Sequence, residues 1–276
     1  MENVRLSGLD VAAVDAGLVG TRFARQLRYF PSVGSTNSMA IQAAQEGARE
    51  GVWVADEQTS GRGRGGHGWH SAAGEGLYMS ALVVPQIPAA RAMWISLATG
   101  LAAQMAIAAA SGLSVDLRWP NDLLIGERKC GGILVESALS AAGRGTSDTL
   151  RYAVIGVGVN LNHDSFPEEL SAVATSLRME AGREVVRERM LIELLRGLSA
   201  ELASLSSDET GAFDQGGLLE RFSASSTWVR GKRVRVGEPG DYTGMTAGLT
   251  ADGFLLVDAD DGTRRSVLTG GVRELK

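Results

Sequence analysis

Residues 57–76 read "EQTSGRGRGGHGWHSAAGEG", and the fold turns on the residues just after the glycines. Gly61, Gly63 and Gly66 satisfy G-x-G-x-x-G, and "GVWVADEQ" (51–58) ahead of them reads as a strand. In a dinucleotide fold the last glycine opens a helix whose N-terminus meets the pyrophosphate. Here "HGWHSAAGEG" comes next, a poor helix former, so that fold is excluded by context. No G-x-x-x-x-G-K-[ST] occurs either, which removes a P-loop. An RNA-binding arginine-glycine tract normally repeats within a disordered tail; this one is a single copy between two strands. A plain linker leaves two arginines and Trp69 without a purpose. The remaining reading is a lid over anionic ligands. Its glycines let N–H groups approach phosphate, Arg62 and Arg64 neutralise it, and the indole offers a flat face.

Outward from this stretch the pattern is α/β. A short helix before residue 25 leads into the strand "LRYFP". "GSTNSMAIQAAQEG" is a helix to about Gly47, capped by Ser35 or Thr36. "GLYMSALVVP" is a strand, an Ala-rich helix runs from about Ala90 to Ser111, and "VDLRWP" is a short strand stopped by Pro120. "NDLLIGERKCG" reads as a hairpin-like turn into the strand "GILVESAL", and "GRGTSDTL" as a polar loop. "RYAVIGVGVNLN" is a strand with a glycine-studded end. In the next long helix, Val186, Met190, Leu194, Leu198, Leu202 and Leu205 share one face. A further short helix ends near Ser225. From Trp228 on, short strands alternate with Gly, Asp and Pro turns, which suggests a small β-barrel-like module. The expected domains are 1–226 and 227–276.

Composition narrows the function. The 276 residues are 44% hydrophobic and 21% charged, the balance of a globular protein. A net charge of −5 and a pI of about 5.4 argue against nucleic acid as a partner. Cys130 is the one cysteine, so neither a disulfide framework nor a zinc cluster can form, and a reducing cytoplasm is expected. The N-terminus lacks an apolar run behind a basic start and is not read as a signal peptide. Residues 93–115 are free of charge over 23 positions, yet Gln104, four Ser/Thr, two glycines and seven weakly lipophilic alanines mark a helix packed inside a domain.

Two further polar clusters sit at strand ends. "RWPNDLLIGERKCGGILVE" (118–136) gathers Arg118, Asn121, Asp122 and Lys129, and "GVGVNLN" (156–162) carries Asn160. For any one of these residues a turn cap or solvated surface is the ordinary fate. Three clusters at strand ends of one α/β domain point to a site.

With "GSTN" (34–37) and "TSL" (175–177), the sequence resembles the biotin–protein ligases from about residue 28 to the C-terminus. The resemblance implies a catalytic domain with a mixed sheet flanked by helices and a small SH3-like C-terminal domain. It implies biotin and ATP, with Mg²⁺, forming biotinyl-5′-AMP. Biotin then passes to a lysine on the biotin carboxyl carrier domain of acetyl-CoA carboxylase or another biotin-dependent carboxylase. Catalytic roles fall to Lys129, Arg64 and Asp122. Biotin falls to Ser35, Thr36, Asn37, Gln58, Gly61, Arg62 and Lys129. ATP and the adenylate fall to Arg62, Arg64, Trp69, Arg118, Asn121, Lys129 and Asn160, and Mg²⁺ to Asp122.

Few residues precede the matching region, so the similarity is to the class without a DNA-binding domain, and a homodimer is compatible with it. Three positions depart from the common pattern: Arg118 stands where lysine is frequent, His67 where arginine is frequent, and Ala72 where proline is. A lipoate or octanoate ligase of the same architecture and a biotin-sensing regulator are the alternatives. The first carries an arginine-rich, histidine-containing fingerprint that is missing here.

Overall fold

The structure, a computed structural model, describes residues 8–139, 149–205, 217–237, 240–269 and 271–275. The chain runs α1 (Val11–Gly17), β1 (Leu27–Val33), α2 (Thr36–Gln45), β2 (Gly51–Gln58), β3 (Gly76–Val83) and α3 (Met93–Ser111). Then come β4 (Asp116–Arg118), β5 (Asp122–Ile125), β6 (Arg128–Leu139), β7 (Leu150–Asn160), α4 (Glu168–Ser171), α5 (Leu177–Ala181), α6 (Arg187–Ser204) and α7 (Leu218–Ala224). The C-terminal part holds β8 (Arg230–Val236), β9 (Tyr242–Leu249), β10 (Leu255–Ala259), β11 (Arg264–Val267) and β12 (Val272–Glu274).

Among the described residues, seven strands form one sheet in the order β1-β2-β3-β7-β6-β5-β4. Only β1 and β2 pair in parallel; the other pairs are antiparallel. β1 is an edge strand, which tolerates Pro31 because a missing N–H costs nothing on the open side. The last five strands make a separate antiparallel sheet in the order β11-β10-β9-β8-β12. The expected mixed-sheet domain and C-terminal β domain are both present.

Strand alternation divides the large sheet into two unlike faces. Leu77, Met79, Ala81 and Val83 of β3, with Ile155, Val157 and Val159 of β7, pack into the main core beneath α3 and α6. The uncharged α3 is buried along most of its length, and Gly112 ends it in a left-handed conformation (φ 81°). On the opposite face lies α2, which covers β2, β3 and β7 through Ala40, Ala44, Trp53, Leu82 and Val154. One ten-residue helix cannot cover seven strands, so the far end of β6 and β7 stays open on that face. Ser35 is the N-cap of α2, accepting the Ser38 N–H, so the helix begins at the open region.

Several expectations shift. The turn before β6 shrinks to Gly126–Glu127, and β6 begins at Arg128, so Lys129 lies in a strand. Its N–H donates to the Val173 carbonyl (2.8 Å) and its carbonyl accepts from the Thr175 N–H (3.0 Å). The short helices α4 and α5 carry no clear signal in the sequence. Val186 leaves the apolar face of α6: it is the N-cap and is exposed, while Leu191 and Leu195 join the buried set. The polar loop "GRGTSDTL" falls largely outside the described residues.

Two tryptophans and an arginine tie the two sheets together. The Trp94 and Trp119 indoles donate to the Ala251 (3.0 Å) and Gly253 (2.9 Å) carbonyls of the β9–β10 turn. Arg118 donates to the Val272 carbonyl (2.7 Å) and stacks over Trp228, 4.4 Å from the ring centroid. Trp119→Phe keeps an aromatic ring but orphans the buried Gly253 carbonyl. It should lower stability by about 1–2 kcal/mol, read as an earlier urea midpoint; an unmoved midpoint would show that the bond contributes nothing.

Candidate active site

The open face of β6 and β7 is a floor of missing side chains. Gly132, Gly156 and Gly158 point to it, with Gly132 opposite Gly158 and Leu134 opposite Gly156. A Cβ at Gly156 would stand 2.2 Å from Asn37 Oδ1, and one at Gly158 would stand 2.5 Å from Trp69 Nε1. At Gly132 it would meet Trp69 and Lys129 at 3.2 Å. Those glycines let Asn37, Lys129 and Trp69 lie directly on the sheet. "GVGV" thus has a steric meaning that its sequence pattern alone did not disclose.

Over this floor folds the opening stretch as a hairpin. Gly63 N–H donates to the His67 carbonyl (2.7 Å) and Trp69 N–H to the Gly61 carbonyl (2.9 Å), with a single 3₁₀ turn at Arg64–Gly66. Gly65 and Gly66 take positive φ (68° and 81°), which closes the tip. Gly61 contributes as backbone, since a Cβ there would strike the Trp69 carbonyl at 2.6 Å.

Ser35, Thr36, Asn37, Gln58, Arg62, Arg64, Trp69, Asn121 and Lys129 line one cavity between hairpin and floor. A second cavity is walled by Trp69, His70, Lys129, Asn160, Phe166, Leu170 and Val173. Lys129 and Trp69 belong to both. Most residues expected from sequence therefore line one or both cavities; Gly61, Asp122 and Arg118 line neither. Arg118 turns to Val272 and Trp228 of the C-terminal sheet, and it lines neither cavity. Its neighbour Asn121 touches the first cavity while its amide donates to the Ile133 carbonyl (3.0 Å). Asn160 is buried, donates to the Thr175 carbonyl (3.0 Å) and lines the second cavity.

The charges come as pairs. Lys129 Nζ is 2.5 Å from Asp122 Oδ1, and Arg62 pairs with Glu136. Lys129 also sits 5.3 Å from the Trp69 ring centroid. Burial pulls the Arg64 guanidinium below its usual range, partly opposed by the Asp122 charge, and its Nη1 is buried without a partner. A buried unpaired donor is costly, so this arginine is set to receive an acceptor. Asp122 is the only expected metal ligand, and no group of three His, Cys, Asp or Glu suited to a metal occurs among the described residues.

Residues 29–160 match the family model "Biotin/lipoate A/B protein ligase family", and residues 230–272 match "Biotin protein ligase C terminal domain". The bifunctional ligase/repressor BirA of Bacillus subtilis is 31% identical over 262 residues, covering 93% of this chain and 77% of that one. The biotin–[acetyl-CoA-carboxylase] ligase of Mycobacterium tuberculosis is 34% identical over 255 residues, covering 90% and 88%. The biotin protein ligase of Aquifex aeolicus in complex with biotin and ATP superposes with a TM-score of 0.72 at 26% identity, covering 91% of this chain and all of the other. The fold is that of a biotin or lipoate protein ligase. The chain belongs to the biotin protein ligase family.

One wall of the second cavity has no counterpart among the residues expected from sequence. Phe166 stacks on His163 (4.9 Å between centroids, 13° between planes), with His70 5.8 Å from His163. His163 is fully buried, 3.5 Å from the Tyr78 hydroxyl and 3.8 Å from Glu75 Oε2. Burial, helped by nearby His70, pushes its pKa down to about 4. The unfolded chain therefore takes this proton first, near pH 6.5, and the native state only near pH 4. Stability should fall as pH drops through that window, by up to about 3 kcal/mol. His163→Phe should flatten the fall, and urea titrations at pH 7, 6, 5 and 4 measure it.

Proposed function

We propose that this ligase joins biotin to a lysine of a carboxylase carrier domain through biotinyl-5′-AMP, in the cytoplasm. The observation that carries the proposal is that Lys129 and Trp69 wall both cavities. Biotin occupies the cavity over Gly156, its neutral polar ureido ring held by Ser35, Thr36, Gln58 and the backbone at Arg62. The adenine occupies the second cavity, with Trp69 against its face and Asn160 at its edge. An ammonium then stands where the biotin carboxylate meets the α-phosphate.

Two anions repel, and this site offsets the repulsion with Lys129, Arg62 and Arg64 placed before the reaction begins. Magnesium would come with the nucleotide as MgATP and offset its charge, since no group of three His, Cys, Asp or Glu among the described residues could hold it alone. A carboxylate oxygen attacks the α-phosphorus, the bond to the β-phosphate bridging oxygen breaks, and pyrophosphate leaves. The mixed anhydride gives the acyl carbon a good leaving group. The carrier lysine, with an unperturbed pKa of about 10.4, must lose a proton to attack it. Asp122, beside Lys129, orients that amine and takes the proton; the amide forms and AMP departs. The hairpin keeps water from the anhydride meanwhile.

Lys129→Ala should abolish biotin-dependent pyrophosphate release while the protein stays folded, because β6 holds the backbone at this position. Near-normal release by the folded variant would defeat the assignment. Trp69→Ala should weaken ATP by roughly 1–3 kcal/mol, the worth of a base–aromatic stack, and biotin by much less. Calorimetric titration of each ligand measures the split; equal losses would mean that the indole only shapes the floor.

A further inference from the structure

Thr175, the first residue of "TSL" (175–177), lines neither cavity, yet it is fully buried and all three of its polar groups are engaged. Its N–H donates to the Lys129 carbonyl (3.0 Å), and its own carbonyl accepts from Asn160 Nδ2 (3.0 Å). Its hydroxyl donates to Glu180 Oε1 (2.5 Å) on α5. The same carboxylate oxygen accepts from Arg128 Nη2 (2.6 Å), the residue before Lys129. Glu180 therefore closes a ring of bonds that leaves β6 at Lys129, passes through Thr175 and returns to β6 at Arg128.

This ring stands at one end of a weakly held segment. Residues 164–173 include Phe166, Leu170 and Val173, which wall the second cavity, and every residue of the segment is at least partly exposed. Its helix, α4, has four residues. Buried anchors flank it, His163 before and Ala174, Thr175 and Ser176 after. A segment with so little apolar area to bury is held by its ends. At the first end Phe166 stacks on His163. At the second, the two backbone bonds to Lys129 are joined by the Thr175–Glu180 bond, which is charge-assisted and so of the stronger kind.

We infer that Thr175, through its hydroxyl bond to Glu180, is a positioning residue for the nucleotide: it holds the wall of the second cavity and the Asn160 amide in register with Lys129 before the ligand enters. Without that bond the wall can leave its place in the free protein. A nucleotide must then bring it back, so the energy of the bond reappears as lost affinity. Biotin is spared, because the first cavity includes none of residues 164–175 and Lys129 stays in β6 opposite Leu124. The inference rests on the placement of adenine in the second cavity proposed above.

Calorimetry on the full chain tests it, with biotin as one ligand and α,β-methylene ATP, whose carbon bridge blocks pyrophosphate release, as the other. Thr175→Val keeps the shape and removes the hydroxyl. The nucleotide should weaken about tenfold and biotin by less than about twofold. Thr175→Ser restores the hydroxyl and should stay within about threefold of the unchanged protein for both ligands. Glu180→Ala also frees Arg128, so it is compared with Arg128→Met. Its nucleotide loss should exceed that of Arg128→Met by at least about threefold, and the excess should vanish in the Thr175→Val background. Equal weakening of both ligands by Thr175→Val, or a nucleotide affinity within about twofold of the unchanged protein, would overturn the inference. If that variant does not fold, a Glu180→Ala variant no weaker than Arg128→Met does so. Failure of the adenine placement shows separately, as an unmoved nucleotide affinity in Trp69→Ala.

Discussion

The bare strip on β6 and β7 is the constraint on which the site depends. A sheet normally presents a side chain to each face at every second residue, and such a carpet would hold any helix or loop about 10 Å away. Removing three side chains from adjacent positions of two paired strands brings Asn37, Lys129 and Trp69 onto the backbone itself. The same strip explains why α2 covers only part of that face. It also explains why the hairpin, which has little apolar surface apart from Trp69, still has a place to dock. The packed face under α3 and α6 carries the stability that the open face gives up.

Electrostatics are set by that geometry. An acidic chain concentrates Arg62, Arg64 and Lys129 over the strip and matches them with Glu136 and Asp122. These ion pairs are partly exposed and contribute little stability. Their effect is to keep three cations close together, without severe mutual repulsion, before an anion arrives. The entering anion then exchanges with a carboxylate, which costs less than desolvating bare ammonium and guanidinium groups one at a time. Arg64 differs from the other two, because burial has already stripped part of its solvation and one of its nitrogens has no partner.

Much of this was legible in the sequence. The failure of a helix to form after Gly66 correctly rejected a dinucleotide fold, and the caps at Ser35 and Gly112 lie where local chemistry put them. The shared face of α6 was correct except at Val186, where the helix starts and periodicity no longer applies. Less visible was anything decided by pairing across the chain. Lys129 reads as a turn residue because "GERKCG" is polar and glycine-bounded; long-range bonds to Val173 and Thr175 draw it into a strand. Arg118 reads as a ligand because it stands beside Asn121 and Asp122, yet its side chain leaves on the other side of its strand. Ser80 carries no motif, and its bond to Asn37 exists only once α2 lies over β3.

The segment 118–122 shows how the two sheets share one problem. Within five residues, Arg118 and Trp119 bond to the C-terminal sheet and the Pro120 carbonyl accepts from Ser96 on α3 (2.9 Å). Asn121 clamps Ile133 on β6, and Asp122 reaches Lys129. Residues 119–121 form the turn between β4 and β5, and a turn threaded between two bodies can hold each with different side chains. It cannot relax toward either without disturbing both. The position of the carboxylate beside Lys129 is thus set as much by two indole-to-carbonyl bonds in the β9–β10 turn as by anything inside the cavity. The C-terminal sheet lines neither of the two cavities and is nevertheless part of the geometry that holds them.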